Sequence, residues 1–140
     1  LKGRVNSNFI VTNCDILTDL DYADLIQFHC NKGSAITLVG CSKSTVLPYG
    51  VCHLATDGYL EWIEEKPSRD ILVNNGLYVL SPEVLDLIPE RGRFDMTELI
   101  RKTSEIGERI GVYPVSEDAW HDVGEWPEYK KTVALLSGEN

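Results

Sequence analysis

The stretch Phe9-Ile10-Val11-Thr12-Asn13-Cys14-Asp15 limits what this chain can fold into more than any other. Its first three residues are bulky, apolar and mostly β-branched, which predicts a strand buried on both faces. The run then ends abruptly in Asn-Cys-Asp. In open α/β sheets, ligands sit in the crevice beyond the carboxyl ends of strands. A carboxylate delivered there by a rigid strand suits a hard cation such as Mg2+. Asp15 is equally placed to cap the turn that follows, and the stretch alone leaves both roles open.

At 140 residues the chain is one domain's worth, long enough to bury a sizeable core. A hydrophobic content of 43% beside 25% charged residues is ordinary for a soluble globular protein. The net charge of -9 argues against a nucleic acid or an anionic membrane as main partner. No stretch approaches 18 consecutive apolar residues and no charged-then-apolar leader is visible, so neither a transmembrane span nor a signal peptide is expected. Cys14, Cys30, Cys41 and Cys52 lie far apart and form no CxxC pair. His29, His53 and His121 supply no close ligand pair either, which argues against zinc and for reduced thiols in a cytoplasmic protein.

Read in order, the chain alternates strands and helices and then inserts a β-rich segment. Thr18-Asp19-Leu20-Asp21 offers caps for a helix carrying Leu25, Ile26 and Phe28, with Gly33 as its stop. Ala35–Val39 reads as a strand, and Cys41–Pro48, rich in Ser and Thr, as a loop. Tyr49–Leu54 and Tyr59–Glu65, joined by Thr56-Asp57-Gly58, predict a hairpin. Ser68-Arg69-Asp70 reads as a connection to a strand over Ile71–Leu80, and the poor strand formers Asn74, Asn75 and Gly76 inside it predict a bulge. Ser81-Pro82 starts a short helix ending at Ile88, and Asp95 with Glu98 reads as a near capping box for a helix from Met96 to about Ile106. Strands over Ile110–Val115 and Trp120–Val123 follow, then a last helix from Glu125 or Trp126 through Leu136. The pattern is α/β with a mixed sheet.

Three further places carry polar residues that packing alone does not explain. Glu65-Lys66-Pro67 sets an acid beside a base at a strand end, where neighbours point to opposite faces. Lys66 can meet a phosphate as a point charge and Glu65 can accept hydrogen bonds from hydroxyls; a solvated strand end is the plain alternative. Asp122, within Trp120-His121-Asp122-Val123-Gly124, is a second carboxylate at a sheet terminus or else a turn residue before Gly124. Two such carboxylates can share one Mg2+, whose octahedral shell at ~2.1 Å also takes phosphates and water. Gly50 either admits a ligand to the backbone or simply starts a strand.

Their order along the chain raises these weak signals. Phe-Ile-Val-Thr-Asn-Cys-Asp, Pro-Tyr-Gly-Val, Glu-Glu-Lys-Pro, Val-Asn-Asn-Gly-Leu-Tyr-Val-Leu, Phe-Asp-Met-Thr-Glu-Leu-Ile and Trp-His-Asp-Val-Gly together resemble the sugar-1-phosphate nucleotidyltransferase family, from about Phe9 to Thr132. Mannose-1-phosphate guanylyltransferases and glucose-1-phosphate thymidylyltransferases belong to it, and the guanylyltransferase-like branch is the nearer likeness. The resemblance implies a Rossmann-like α/β fold with flanking helices and a β-hairpin insert. It implies that Asp15 and Asp122 hold the catalytic Mg2+, that Lys66 contacts the sugar phosphate and that Glu65 binds sugar hydroxyls. Gly50 and Asn74 match the remaining sugar-contacting positions. The implied reaction is attack of a sugar-1-phosphate oxygen on the α-phosphorus of an NTP with release of pyrophosphate, in which positioning and charge neutralisation dominate.

The chain departs from the pattern in two ways. Cys14 stands where the motif has Gly, and no Gly-rich phosphate loop occurs, so the likeness is to the C-terminal half of the family domain. The expected fold is therefore incomplete at its N-terminal side. An uncovered edge at Phe9–Asn13 leads to a further expectation, a homo-oligomer or swapped dimer. With nothing to bind the NTP, the chain alone is expected to lack turnover. The alternatives are a non-catalytic domain sensing a sugar phosphate or nucleotide sugar, and a purely structural module.

Overall fold

The structure, a computed structural model, describes Lys2–Gly124 together with Tyr129, Lys130 and Val133. Its centre is a four-stranded mixed sheet of β1 (Phe9–Thr12), β6 (Ser68–Leu80), β3 (Ile36–Val46) and β7 (Ile110–Val115), in that spatial order. β6 runs antiparallel to both its neighbours, while β3 and β7 are parallel. β1, β3 and β7 therefore point the same way, and their carboxyl ends share one edge of the molecule.

Strand alternation sorts the core into two layers. Ile36, Tyr78 and Leu80 face Val84 and Leu99, with Phe9 and Val11 against them. Leu99 belongs to helix α2 (Met96–Glu105) and Val84 to a 3-10 turn over Pro82–Leu87. On the opposite face Val39, Leu77 and Val79 pack on Leu25 of helix α1 (Tyr22–Lys32), with Ile10 and Ile16 beside them. Phe9 and Val11 thus serve one layer and Ile10 the other, as a doubly covered strand requires. β1 is nevertheless half-buried, not buried, because it forms the edge of the sheet.

The helix signals split. The Asp21 carboxylate caps α1 by accepting the Ala23 N–H at 2.8 Å, and Gly33 ends that helix in the left-handed region at φ 55°. Ser81 and Asp95 precede helical turns without capping them through their side chains. Ser81 Oγ bonds His29 Nε2 at 3.1 Å instead, and Asp95 accepts from Arg93 at 3.3 Å. The turn after Ser81 is 3-10, not α-helical.

Two expected connections are strand. Cys41–Val46 and Ser68–Val73 pair with one another residue by residue, from Cys41 opposite Val73 to Val46 opposite Ser68. The Ser and Thr read as loop formers are exposed residues of a two-stranded arm that leads away from the core, and β-branched Thr45 and Val46 suit it. The arm carries the expected hairpin, β4 (Val51–Leu54) with β5 (Leu60–Glu64), which forms a small sheet of its own. A strand not foreseen, β2 (Ile16–Thr18), pairs antiparallel with β8 (Trp120–Asp122). Tyr129, Lys130 and Val133 are helical, and the rest of the expected last helix lies outside the described residues. Among the described residues no helix is long and apolar enough to cross a membrane.

Candidate functional site

The carboxyl end of β1 meets an irregularity in β6. Between the pairs Leu38–Tyr78 and Gly40–Asn74 the register shifts, so β6 carries two more residues than β3, Asn75 and Gly76. This is the expected bulge. Gly76 sits at φ 83°, a conformation that L side chains avoid. A Cβ there would lie 2.5 Å from Asn13 Nδ2, so a side chain at 76 and the observed Asn13 are mutually exclusive. The Asn13 N–H donates to the Gly76 carbonyl at 2.9 Å, closing β1 onto the bulge.

Asn74 is occupied in holding that bulge. Its Nδ2 donates to the Tyr78 hydroxyl at 2.7 Å, and its Oδ1 accepts the Gly76 N–H at 3.2 Å. Asn75 is buried; its Oδ1 accepts the Leu77 N–H at 3.1 Å, and its Nδ2 has no partner among the described residues. Two adjacent asparagines that both fold back on the backbone explain why a strand tolerates them here.

Beyond the bulge the chain turns at Cys14-Asp15 and enters β2. Pairing with β8 sets Ile16 opposite Asp122, and the Val123 N–H donates to the Asp15 carbonyl at 2.9 Å. The Thr18 hydroxyl donates to the Ala119 carbonyl at 2.8 Å and fixes the far end of the pair. Asp15 and Asp122, 107 positions apart in the sequence, are thereby neighbours through their main chains. The Asp15 side chain is exposed, and among the described residues its carboxylate makes no hydrogen bond or ion pair. It does not cap α1, a task Asp21 performs.

The second group lies at the base of the hairpin. The ion pair at this place is made by Glu64, the residue before the Glu65-Lys66 run. The Arg69 guanidinium holds Glu64 through both its nitrogens, and His53 Nε2 lies 3.3 Å from the same carboxylate. Arg69 first, then His53, keep the Glu64 carboxyl below its ordinary range. His53 in turn stacks on Trp62, with ring centroids 3.8 Å apart. Glu65 and Lys66 are exposed and take no part in this clamp. Glu65 faces the other side of the hairpin, where a Cβ on Gly50 would lie 3.2 Å from Glu65 Oε2. Lys66 stands outside β5 in the left-handed region at φ 44°, the one non-glycine described there, a conformation that costs a lysine ~1–2 kcal/mol.

The six expected site residues thus form two groups. Asp15 and Asp122 are paired by β2 and β8, with Asn74 on the neighbouring bulge; Gly50 and Glu65 are in contact, with Lys66 next in the chain. Among the described residues no hydrogen bond or ion pair joins one group to the other. Among those residues there is also no cluster of three or more His, Cys, Asp or Glu able to hold a metal. Mg2+ needs no such cluster, since it takes one or two carboxylates and fills its shell with phosphate and water oxygens. All four cysteines are free; Cys14, Cys30 and Cys52 are exposed, and burial raises the Cys41 thiol.

The sequence matches the nucleotidyl transferase family over residues 2–137. It is 30% identical over 143 residues to a UTP–glucose-1-phosphate uridylyltransferase of Synechocystis, covering 96% of this chain and 36% of the relative. It is 33% identical over 134 residues to mannose-1-phosphate guanyltransferase 2 of Candida glabrata, covering 93% and 37%. The chain thus spans little more than a third of the length of these relatives. Among solved structures, HddC of Yersinia pseudotuberculosis superposes with a TM-score of 0.62 at 23% identity, over 93% of this chain and 56% of that one. That likeness shows the fold, a Rossmann-like mixed sheet. A match over almost the whole length means that this chain belongs to the nucleotidyl transferase family.

Proposed function

We propose that this chain forms the sugar-phosphate- and metal-binding part of an enzyme that transfers a nucleoside monophosphate from an NTP to a sugar 1-phosphate. One observation supports the reading: the β2–β8 pairing makes Asp15 and Asp122 main-chain neighbours beyond the carboxyl end of β1. In the reaction a sugar-phosphate oxygen bonds to the α-phosphorus while the bond from that phosphorus to pyrophosphate breaks. A Mg2+ ion held by Asp15 and Asp122 supplies neutralisation of the phosphate charge when bound. Lys66, unpaired among the described residues and turned out of the strand, meets the sugar phosphate as a point charge. Glu65 accepts hydrogen bonds from sugar hydroxyls, and Gly50 leaves room for the ring against that carboxylate. Asn74 acts by holding the bulge that seats Asn13, two residues before Asp15.

Three companion readings go with this one. The chain is the C-terminal portion of a catalytic domain and does not turn over by itself. Because β1 forms an edge of the sheet, a second copy can add to it, giving a homo-oligomer or swapped dimer; a monomeric mass in light scattering at micromolar concentration would count against that. The compartment proposed is cytoplasmic, consistent with four unpaired thiols.

Calorimetric titration with mannose 1-phosphate, with and without Mg2+ and repeated on Asp122→Ala, tests the reading. Metal-dependent binding that the variant loses supports it. Metal-independent binding would favour a sugar-phosphate sensor, no binding a structural module, and pyrophosphate release from an NTP by this chain alone would overturn the claim that it is inactive.

A further inference from the structure

We propose that Lys43 is a positioning residue for the Asp15–Asp122 pair, acting through Trp120. Lys43 stands on the arm, in β3 opposite Ile71 and two residues past the buried Cys41. Its ammonium lies over the Trp120 ring, 5.0 Å from the centroid. Trp120 is the first residue of β8, the strand that ends in Asp122.

The β2–β8 unit needs such an anchor. It comprises two strands of three residues each, and isolated two-stranded ribbons are marginally stable in water. Its hydrogen bonds run mostly within the unit and to its own flanking turn: the strand ladder, the Thr18 hydroxyl to Ala119, and the Asp19 N–H to Ala119 at 3.2 Å. A link to the main sheet precedes the strand, where the Cys41 thiol lies 3.6 Å from the Ser116 carbonyl, a weak bond. Trp120 cannot be fixed by its polar atom, because its buried indole N–H has no acceptor among the described residues. Among the described residues the ring does carry a cation on its face, the Lys43 ammonium. Lys43 is half-buried and belongs to none of the ion pairs among the described residues, so its charge is not otherwise spoken for. The arm thereby braces β8 from outside, and β8 sets Asp122 against the Asp15 backbone.

A surface cation–aromatic contact of this kind corresponds to a change of about two- to fivefold in an opening equilibrium. The Val123 amide, bonded to Asp15, reports that opening directly, and the Val79 amide in the main sheet reports global unfolding. In Lys43→Met, which keeps length and loses charge, hydrogen exchange at Val123 is expected to quicken about two- to fivefold with Val79 unmoved. In Lys43→Arg, which keeps the cation, both amides should match the wild type. Unchanged Val123 exchange in Lys43→Met, equal quickening in Lys43→Arg, or Val79 moving in step would each overturn the proposal. What β8 delivers rests on the function proposed above, and a parallel titration with Mg2+ and mannose 1-phosphate separates the two. Wild-type chain that binds nothing contradicts that function while the exchange data still decide the role of Lys43. Where the wild type binds, weaker metal-dependent binding in Lys43→Met than in Lys43→Arg supports it, and equal binding in the two variants overturns it.

Discussion

The Val123 N–H donates to the Asp15 carbonyl at 2.9 Å, and with the Ile16–Asp122 pair beside it this bond closes a loop of more than a hundred residues at the end of the sheet. Asp15 follows the edge strand of the mixed sheet, whereas Asp122 follows the turn after its opposite edge, β7. Two chain segments from opposite sides of a sheet pair through their main chains because both leave the same edge of the molecule and turn back on one another. The consequences can be tested residue by residue.

Gly76→Ala should destabilise the chain by at least about 1–3 kcal/mol, from the left-handed backbone alone. The added Cβ also meets Asn13, so the loss should exceed that of Gly58→Ala. Gly58 shares a positive φ, but a Cβ there meets nothing within 4 Å. Urea unfolding of both variants makes the comparison.

Lys66→Gly separates folding from binding. Relief of the left-handed conformation is worth ~1–2 kcal/mol, and the greater freedom of glycine when unfolded returns about 0.5–1 kcal/mol of it. Stability should therefore be unchanged or raised by about 1 kcal/mol. Affinity for mannose 1-phosphate should nevertheless fall by about tenfold or more, since a charged contact is worth roughly 1.5–3 kcal/mol. A variant that binds as well as the wild type would remove Lys66 from the site.

The pH dependence of stability should carry a contribution from His29. This ring is 1% exposed, held between the Thr37 hydroxyl at 2.8 Å and Ser81 Oγ at 3.1 Å. Burial lowers its pKa below the ordinary 6.5. The unfolded chain therefore takes up the proton first, and stability falls as pH drops from 6.5 through the lowered value. His29→Gln should be less stable than the wild type above pH 7, and the gap should narrow on acidification. A gap that stays constant from about pH 8 to pH 5 would contradict this account.

Much of this fold was legible because local signals and packing agree. The Phe9–Val11 run, the Asp21 and Gly33 caps, the Asp57-Gly58 turn and the Asn74–Gly76 bulge all stand where residue chemistry puts them. Cys41–Val46 was read as a loop because Ser and Thr are read by composition, yet the segment gains order from a partner, Ser68–Val73, that no local window contains. Ile16–Thr18 is a strand of the same kind, three residues whose pairing comes from β8. Ser81 and Asp95 show the reverse, capping residues whose side chains are claimed by His29 and Arg93. At the site, residue types could suggest Asp15, Asp122, Glu65 and Lys66. They could not show that Arg69 takes up Glu64 rather than Glu65, nor bring Lys43 to Trp120, 77 positions further along the chain.

The most direct test of the central claim, that Asp15 and Asp122 act on one cation, is a double-mutant cycle on Mg2+-dependent binding of mannose 1-phosphate. Asp15→Asn, Asp122→Asn and the double variant keep side-chain size and remove one or both charges. A shared ion predicts that each single variant loses about tenfold or more, and that the double variant falls no further than the worse single one, within about 0.5 kcal/mol. Losses that add in the double variant, or a single variant that binds Mg2+ and sugar phosphate as the wild type does, would contradict it.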